Sequence, residues 1–144
     1  MHTRPVRDII QRDEILRAGP DETVHGAAVA MAEHCVSSVL ICEGERLLGI
    51  FTERDLLTRV VAPGKDPNKT KLGEVMTPDP DTIDASDKVI EVIRRMDEFR
   101  YRHLPVMDNG RIVGVVSLRD LPFDELAQMQ PEIDQRHELI ERMR

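Results

Sequence analysis

Leu47-Leu48-Gly49-Ile50-Phe51-Thr52-Glu53-Arg54-Asp55-Leu56 returns 65 residues later as Ile112-Val113-Gly114-Val115-Val116-Ser117-Leu118-Arg119-Asp120-Leu121. Glycine, a hydroxyl residue, arginine, aspartate and leucine hold the same places in both copies. Residues 21–56 slide onto 86–121 without a gap, and Val24/Val89, Met31/Met96, Glu33/Glu98, Arg46/Arg111, Gly49/Gly114, Arg54/Arg119, Asp55/Asp120 and Leu56/Leu121 are identical. The chain is a duplicated unit, and a repeat at fixed offset constrains architecture more than a single motif does.

Each copy reads as an apolar strand containing glycine, then a hydroxyl residue, then a helix. Thr52 and Ser117 stand where an N-cap belongs, with Asp55 and Asp120 three residues on, so each pair approximates a capping box. The same geometry suits a nucleotide. A helix N-terminus brings unpaired backbone N–H groups and a positive dipole end, and Arg54 or Arg119 adds a guanidinium for phosphate. The adjacent carboxylate accepts hydrogen bonds from both hydroxyls of a ribose, bonds roughly twice as strong as neutral ones. Two in-register copies favour a nucleotide site over capping alone.

Outward from that stretch, Val36–Cys42 is predicted as a strand, with Val39-Leu40-Ile41 apolar enough for burial on both faces. Asp21 or Thr23 opens a helix with Val24, Ala27, Ala28 and Met31 on its apolar stripe, and Ile15–Ala18 is a short extended piece before the Gly19-Pro20 turn. After Thr52, a helix buries Leu56, Leu57, Val60 and Val61. In the second copy Pro78–Asp81 reads as a loop, Thr82-Ile83 as a short strand, and Ser86 or Asp87 as the cap of a helix whose apolar positions are Val89, Ile90, Val92, Ile93, Met96 and Phe99. Tyr101–Met107 and Arg111–Val116 form a hairpin about Asn109-Gly110, which suits a type I′ turn. Pro5–Ile10 and Lys71–Met76 are short lead-in helices, one before each copy. Past Leu121, residues Leu126, Met129, Ile133, Ile140 and Met143 fall close to helical spacing, with Pro131 restarting a helix. That tail either packs back on its own domain or helps a dimer.

The repeat resembles the cystathionine-β-synthase (CBS) domain, and the chain resembles a stand-alone tandem CBS pair. The residues that carry the resemblance are Pro20–Val24, Gly49–Leu56, Val75-Met76-Thr77-Pro78, Arg102–Val106 and Gly114–Leu121. The resemblance implies an α+β fold: two β-α-β-β-α repeats packed sheet on sheet about a pseudo-two-fold axis, with two clefts between them. The expected divisions are 6–61 for repeat 1 with its lead-in helix, 62–70 for the inter-repeat loop, 71–123 for repeat 2 with its lead-in helix, and 124–144 for the helical tail. By the same resemblance Asp55 with Thr52 serves one cleft and Asp120 with Ser117 the other, each carboxylate taking ribose hydroxyls while Arg54 and Arg119 meet phosphate. Arg102 and His103 are further phosphate contacts, Tyr101 and Ile83 border the base, and Leu104 and Pro105 lie where the backbone turns toward it. Val36–Leu40 stands where the second copy has Tyr101–Pro105, and Ala18 where it has Ile83. Unequal clefts are therefore expected, the Ser117/Asp120 cleft being the better defined.

Composition narrows the function. Hydrophobic residues make up 40% and charged residues 33% of the 144, as in a globular domain. The net charge of −7 argues against nucleic acid, whose phosphate backbone needs a basic surface, and 3% aromatics leave few platforms for base stacking. No apolar run approaches the ~20 residues of a membrane helix, and Met1-His2-Thr3-Arg4 opens no signal peptide, so a soluble, cytoplasmic protein is expected. Cys35 and Cys42 read as small hydrophobes in or beside an apolar segment. With His34 they match no zinc spacing, so no metal site is expected. No nucleophile-base pair stands out, and Asp55 and Asp120 belong to separate copies rather than to one acid-base pair.

The leading expectation is a regulatory sensor without catalysis or a catalytic cofactor. Its ligand is AMP, ADP or ATP, with NAD(H) or S-adenosylmethionine as further adenosine compounds. It acts as a homodimer, in trans on a separate effector protein. A dimerisation scaffold with vestigial clefts and a nucleotide-acting enzyme are the alternatives.

Overall fold

The computed structural model describes residues 4–10, 15–121 and 123–143; the side chains at 123–126, 128–130, 132, 133 and 136 lie outside that description. A 3-10 turn at Val6–Asp8 precedes β1 (Arg17–Ala18), α1 (Val24–His34), β2 (Ser38–Glu43), β3 (Arg46–Thr52) and α2 (Glu53–Asp55), which continues as a π-wound segment, Leu56–Val61. The second copy repeats the order as α3 (Leu72–Val75), β4 (Thr77–Pro78), β5 (Ile83–Asp84), α4 (Val89–Phe99), β6 (His103–Asp108), β7 (Arg111–Ser117) and a 3-10 turn at Leu118–Asp120. The tail is α5 (Phe123–Arg142). None of the described helices is long and apolar enough to cross a membrane.

The two sheets run in the orders β1-β2-β3-β4 and β5-β6-β7. In each, the first strand pairs parallel to the second across a helical crossover, and the hairpin strand then pairs antiparallel. Both hairpins carry a register shift at the same place, after Ile41 and after Val106. Asn109 at φ 51° and Gly110 at φ 76° both occupy the left-handed region a type I′ turn demands. Thr23 caps α1, its hydroxyl accepting from the Gly26 N–H at 3.1 Å. Lys88, rather than Ser86 or Asp87, holds the cap position of α4; the Asp87 carboxylate instead accepts from the Asp84 N–H.

Each repeat has its own core. One gathers Val24, Met31, Val39, Ile41, Phe51 and Val60; the other gathers Ile83, Val89, Val92, Ile93, Leu104 and Val116. The lead-ins are exchanged between them. Val6 donates its N–H to Asp87 O and packs in the second core, while Leu72 donates to Glu22 O and packs, with Val75, in the first. The repeated glycine marks where each exchanged segment crosses. A Cβ at Gly49 would stand 2.4 Å from Met76 Sδ and 2.8 Å from Thr77 O; one at Gly114 would stand 3.0 Å from Ile10 Cδ1. Leu40, Ile50 and Ile112, flanked by Cys42, Leu47, Met107 and Val115, form a third cluster between the sheets. At roughly 1.5–3 kcal/mol per buried residue before entropy, those three make a thin seam, so the exchanged lead-ins contribute much of the inter-repeat contact.

Four local expectations are corrected. Leu57 and Val61 are 60% and 61% exposed, because i to i+5 winding widens the turn and leaves Val60 facing in with Leu56 half-buried. Pro78, expected in a loop, instead pairs with Gly49 in the edge strand Thr77–Pro78, a place where proline's missing donor is tolerated. Cys35 is exposed, because it holds the left-handed C-cap of α1, φ 54°, and so cannot turn inward with the strand. Pro131 lies inside α5 instead of restarting it. The tail packs back along α4. Of its expected apolar stripe, Ile140 and Met143 are exposed, and Leu126, Met129 and Ile133 fall among the side chains outside the description.

Candidate inter-repeat ligand site

Strand β3 ends at Thr52, and the box closes there: Thr52 N–H donates to Asp55 Oδ2 at 3.0 Å and Asp55 N–H to Thr52 Oγ1 at 3.2 Å. The second oxygen, Oδ1, lies 3.5 Å from Arg59 Nε, and only 13% of the Asp55 side chain is exposed. In the other copy Ser117 N–H and Ser117 Oγ both donate to Asp120 Oδ2, at 2.8 and 3.0 Å. Capping alone therefore explains one oxygen of each carboxylate. The N-terminal amides are less available than the sequence implied, because Glu53 N–H donates to Ser37 O at 3.1 Å and Leu118 N–H to Arg102 O at 2.9 Å. An anion placed at either cap would meet side-chain cations more than free backbone donors.

Two cavities open between the repeats, and their walls are paired crosswise. Thr52, Arg54 and Asp55 face Tyr101, Arg102, His103 and Leu104 across a cavity of about 750 Å³. Ser117, Arg119 and Asp120 face Cys35, Val36, Ser37 and Ser38 across about 200 Å³. The expected ranking is reversed: the Thr52/Asp55 cleft is the larger and lies within the range of ligand pockets, while its counterpart falls below it. Sheet-on-sheet packing turns the start of β6 toward the cap of the other repeat, so the basic residues of the second copy furnish the first copy's cleft.

Ten of the expected site residues line one cavity or both, and His103 lines both. Ile83 and Pro105 line neither. Ile83 is 2% exposed in the second core, where pairing with Val106 turns its side chain inward. Pro105 is buried opposite Val115 in the hairpin. The larger cleft also contains residues the motif did not point to: Asp79, Pro80 and Asp81 after β4, Met96 and Asp97 on α4 with Arg100 at its C-cap, and His137 on α5. The Tyr101 hydroxyl donates to Asp81, and its ring stacks on Phe99 at 5.7 Å between centroids. The α4 residues carry a sequence signal, since Ile93, Met96 and Asp97 share one helical face, whereas Arg100 sits in the left-handed C-cap that follows. His137 carries none, because its place depends on how α5 docks.

The larger cleft is mixed in charge. Glu53, Asp55, Asp79, Asp81 and Asp97 bring five carboxylates, against the three guanidiniums of Arg54, Arg100 and Arg102. Burial pushes the His103 imidazole below its ordinary range; Glu53, Asp120 and Asp55 pull it back up while Arg119 pushes it further down. The hydrogen bond to Asp81, ahead of burial, pushes the Tyr101 phenol up.

The CBS domain family model matches residues 6–62 and 72–121. Among similar proteins, MK0525 of Methanopyrus kandleri is 33% identical over 123 residues, covering 84% of this chain and 62% of its own. The CBS domain-containing protein CBSCBSPB2 of Arabidopsis thaliana is 33% identical over 114 residues, 78% of this chain but 21% of its own. The chain thus spans about a fifth of such plant relatives. Among solved structures, a protein with CBS domains from Burkholderia ambifaria superposes with TM-score 0.77 at 32% identity, covering 82% of this chain and 90% of that one. The CBS domain protein PAE2072 of Pyrobaculum aerophilum, solved complexed with AMP, gives TM-score 0.79 at 25% identity, covering 89% and 99%.

Proposed function

The chain belongs to the CBS domain family, as a tandem pair, and from that premise we propose that it is a regulatory module binding an adenosine nucleotide in the Thr52/Asp55 cleft, with no catalysis of its own. The observation that carries the reading is the facing of Asp55, held by Thr52 and Arg59, toward Arg102 and His103 across a cavity of ligand size. A ribose diol donates to the Asp55 carboxylate, Arg54 and Arg102 meet phosphate, and Leu104, Ile50 and Met96 supply apolar surface for the base. The AMP complex of PAE2072 supports an adenosine ligand. ADP, ATP, NAD(H) and S-adenosylmethionine share the same adenosine.

Asp55 and Asp120 face different clefts, which speaks against their serving as one acid-base pair. Regulation follows if the ligand binds two arrangements of the repeats unequally, the differential affinity being the signal passed to a separate effector. Self-association as a homodimer belongs to the same reading, and Leu57 and Val61, exposed side by side on the π-wound segment, offer the apolar surface for it.

Calorimetric titration with AMP, ADP, ATP, NADH and S-adenosylmethionine tests the reading, repeated on Asp55→Ala and Asp120→Ala. Micromolar binding lost in Asp55→Ala and kept in Asp120→Ala is the expected result. No heat from a folded, ligand-free protein would leave the scaffold reading in its place.

A further inference from the structure

The larger cleft has a wall that neither repeat supplies. His137, on α5 and beyond the last repeated residue, lines it, with Nε2 3.0 Å from Asp97 Oδ1. The Asp97 side chain is only 12% exposed, whereas that of His137 is 53% exposed, so the imidazole sits at the rim and the carboxylate beneath it. Asp97 shares the cleft-facing side of α4 with Ile93 and Met96, and Arg100, the left-handed C-cap just past the helix (φ 60°), lines the same cavity. His137 and Arg100 therefore belong to the same cleft.

We propose that His137 is a ligand-contacting residue of this cleft, which with Arg100 meets the anionic group of a nucleotide whose ribose is held by Asp55. The inference rests on the nucleotide reading above and extends it to a residue outside the repeats. Contact with Asp97 takes the Nε2–H and fixes the ring's orientation, so it is the imidazolium form, with its second N–H at Nδ1, that donates to a phosphate entering the cleft. The pseudo-symmetric cleft has no such arrangement. At the 65-residue offset Asp97 and Arg100 correspond to Ala32 and Cys35, which offer an imidazole neither carboxylate nor guanidinium, and no α5 residue lines that cavity among the described residues. The tail thus makes one cleft selective for a charged ligand.

The test uses the full chain and two probes, AMP and adenosine, titrated against wild type, His137→Ala, His137→Gln and Asp55→Ala. A contact to the phosphate predicts about a tenfold loss of AMP affinity in His137→Ala, with adenosine changed less than about twofold and partial recovery of AMP in His137→Gln. Equal losses for both probes would make His137 a packing contact and overturn the proposal. Unchanged AMP binding in His137→Ala, with loss in Asp55→Ala, would overturn it while leaving the nucleotide reading intact. Failure of wild type to bind AMP would remove that reading and the proposal together.

Discussion

Ser37 Oγ and His103 Nε2 hydrogen-bond at 2.7 Å across the pseudo-two-fold axis, joining the segment before β2 to the first residue of β6. His103 lines both clefts, and the Ser37 carbonyl holds the first amide of α2, so this pair links the two sites through the protein interior.

Acid is expected to weaken the fold through His103. Burial lowers its folded pKa below the ordinary 6.5, so the unfolded chain binds the proton more readily. Its contribution is fully present above pH 6.5 and is lost as pH falls through the lowered folded value. Glu53, Asp120 and Asp55 soften the effect without reversing it. Urea unfolding between pH 7.5 and 5 should show a shallower loss of stability in His103→Gln than in wild type; parallel curves would contradict the assignment.

Gly49→Ala should cost more than Gly114→Ala. The added methyl at 49 meets the Thr77 carbonyl at 2.8 Å, a backbone atom that cannot swing away, whereas at 114 it meets the tip of Ile10 at 3.0 Å. Overpacking of the first kind costs about 1–3 kcal/mol, and the second should fall under about 1 kcal/mol. Denaturant midpoints read the order directly.

The excess of carboxylates in the larger cleft should rank its ligands by charge. Each further phosphate meets five acidic groups against three guanidiniums. AMP is therefore expected to bind more tightly than ADP and ADP than ATP, by about two- to tenfold per step at low salt without divalent cations, the steps shrinking as salt rises. Competition titrations at two ionic strengths check this, and tighter ATP binding at low salt would refute it.

Leu57→Glu with Val61→Glu should shift a dimer toward monomer while leaving the fold intact, since both side chains are mostly exposed. Sedimentation velocity and circular dichroism on the same samples separate dissociation from unfolding. A dimer that persists places its interface elsewhere.

Much of the fold was legible because its determinants are local. The capping boxes join residues three apart, the Asn109-Gly110 turn demands its own backbone geometry, and the strands announce themselves as apolar runs beside glycine. Leu57 and Val61 were misread because periodicity assumes an α-turn, and nothing in Leu56–Val61 signals the wider winding. Ile83 was misread as a base contact because its side-chain direction depends on pairing with Val106, on a strand more than twenty residues away.

The sequence by itself determined that there are two copies, that Thr52 and Ser117 each close a capping box, and that an arginine and a carboxylate follow each of them. Only the tertiary structure decided which walls face each other. A duplicated chain is compatible with either pairing of its halves, and the choice falls to packing between distant segments: Leu40 and Ile50 against Ile112, Val6 in the second core, Leu72 in the first. That packing carries Tyr101–Leu104 to Asp55 and sets His137 beside Asp97. Neither outcome has a local cause, because the contacts that impose them form only when the whole chain has closed on itself.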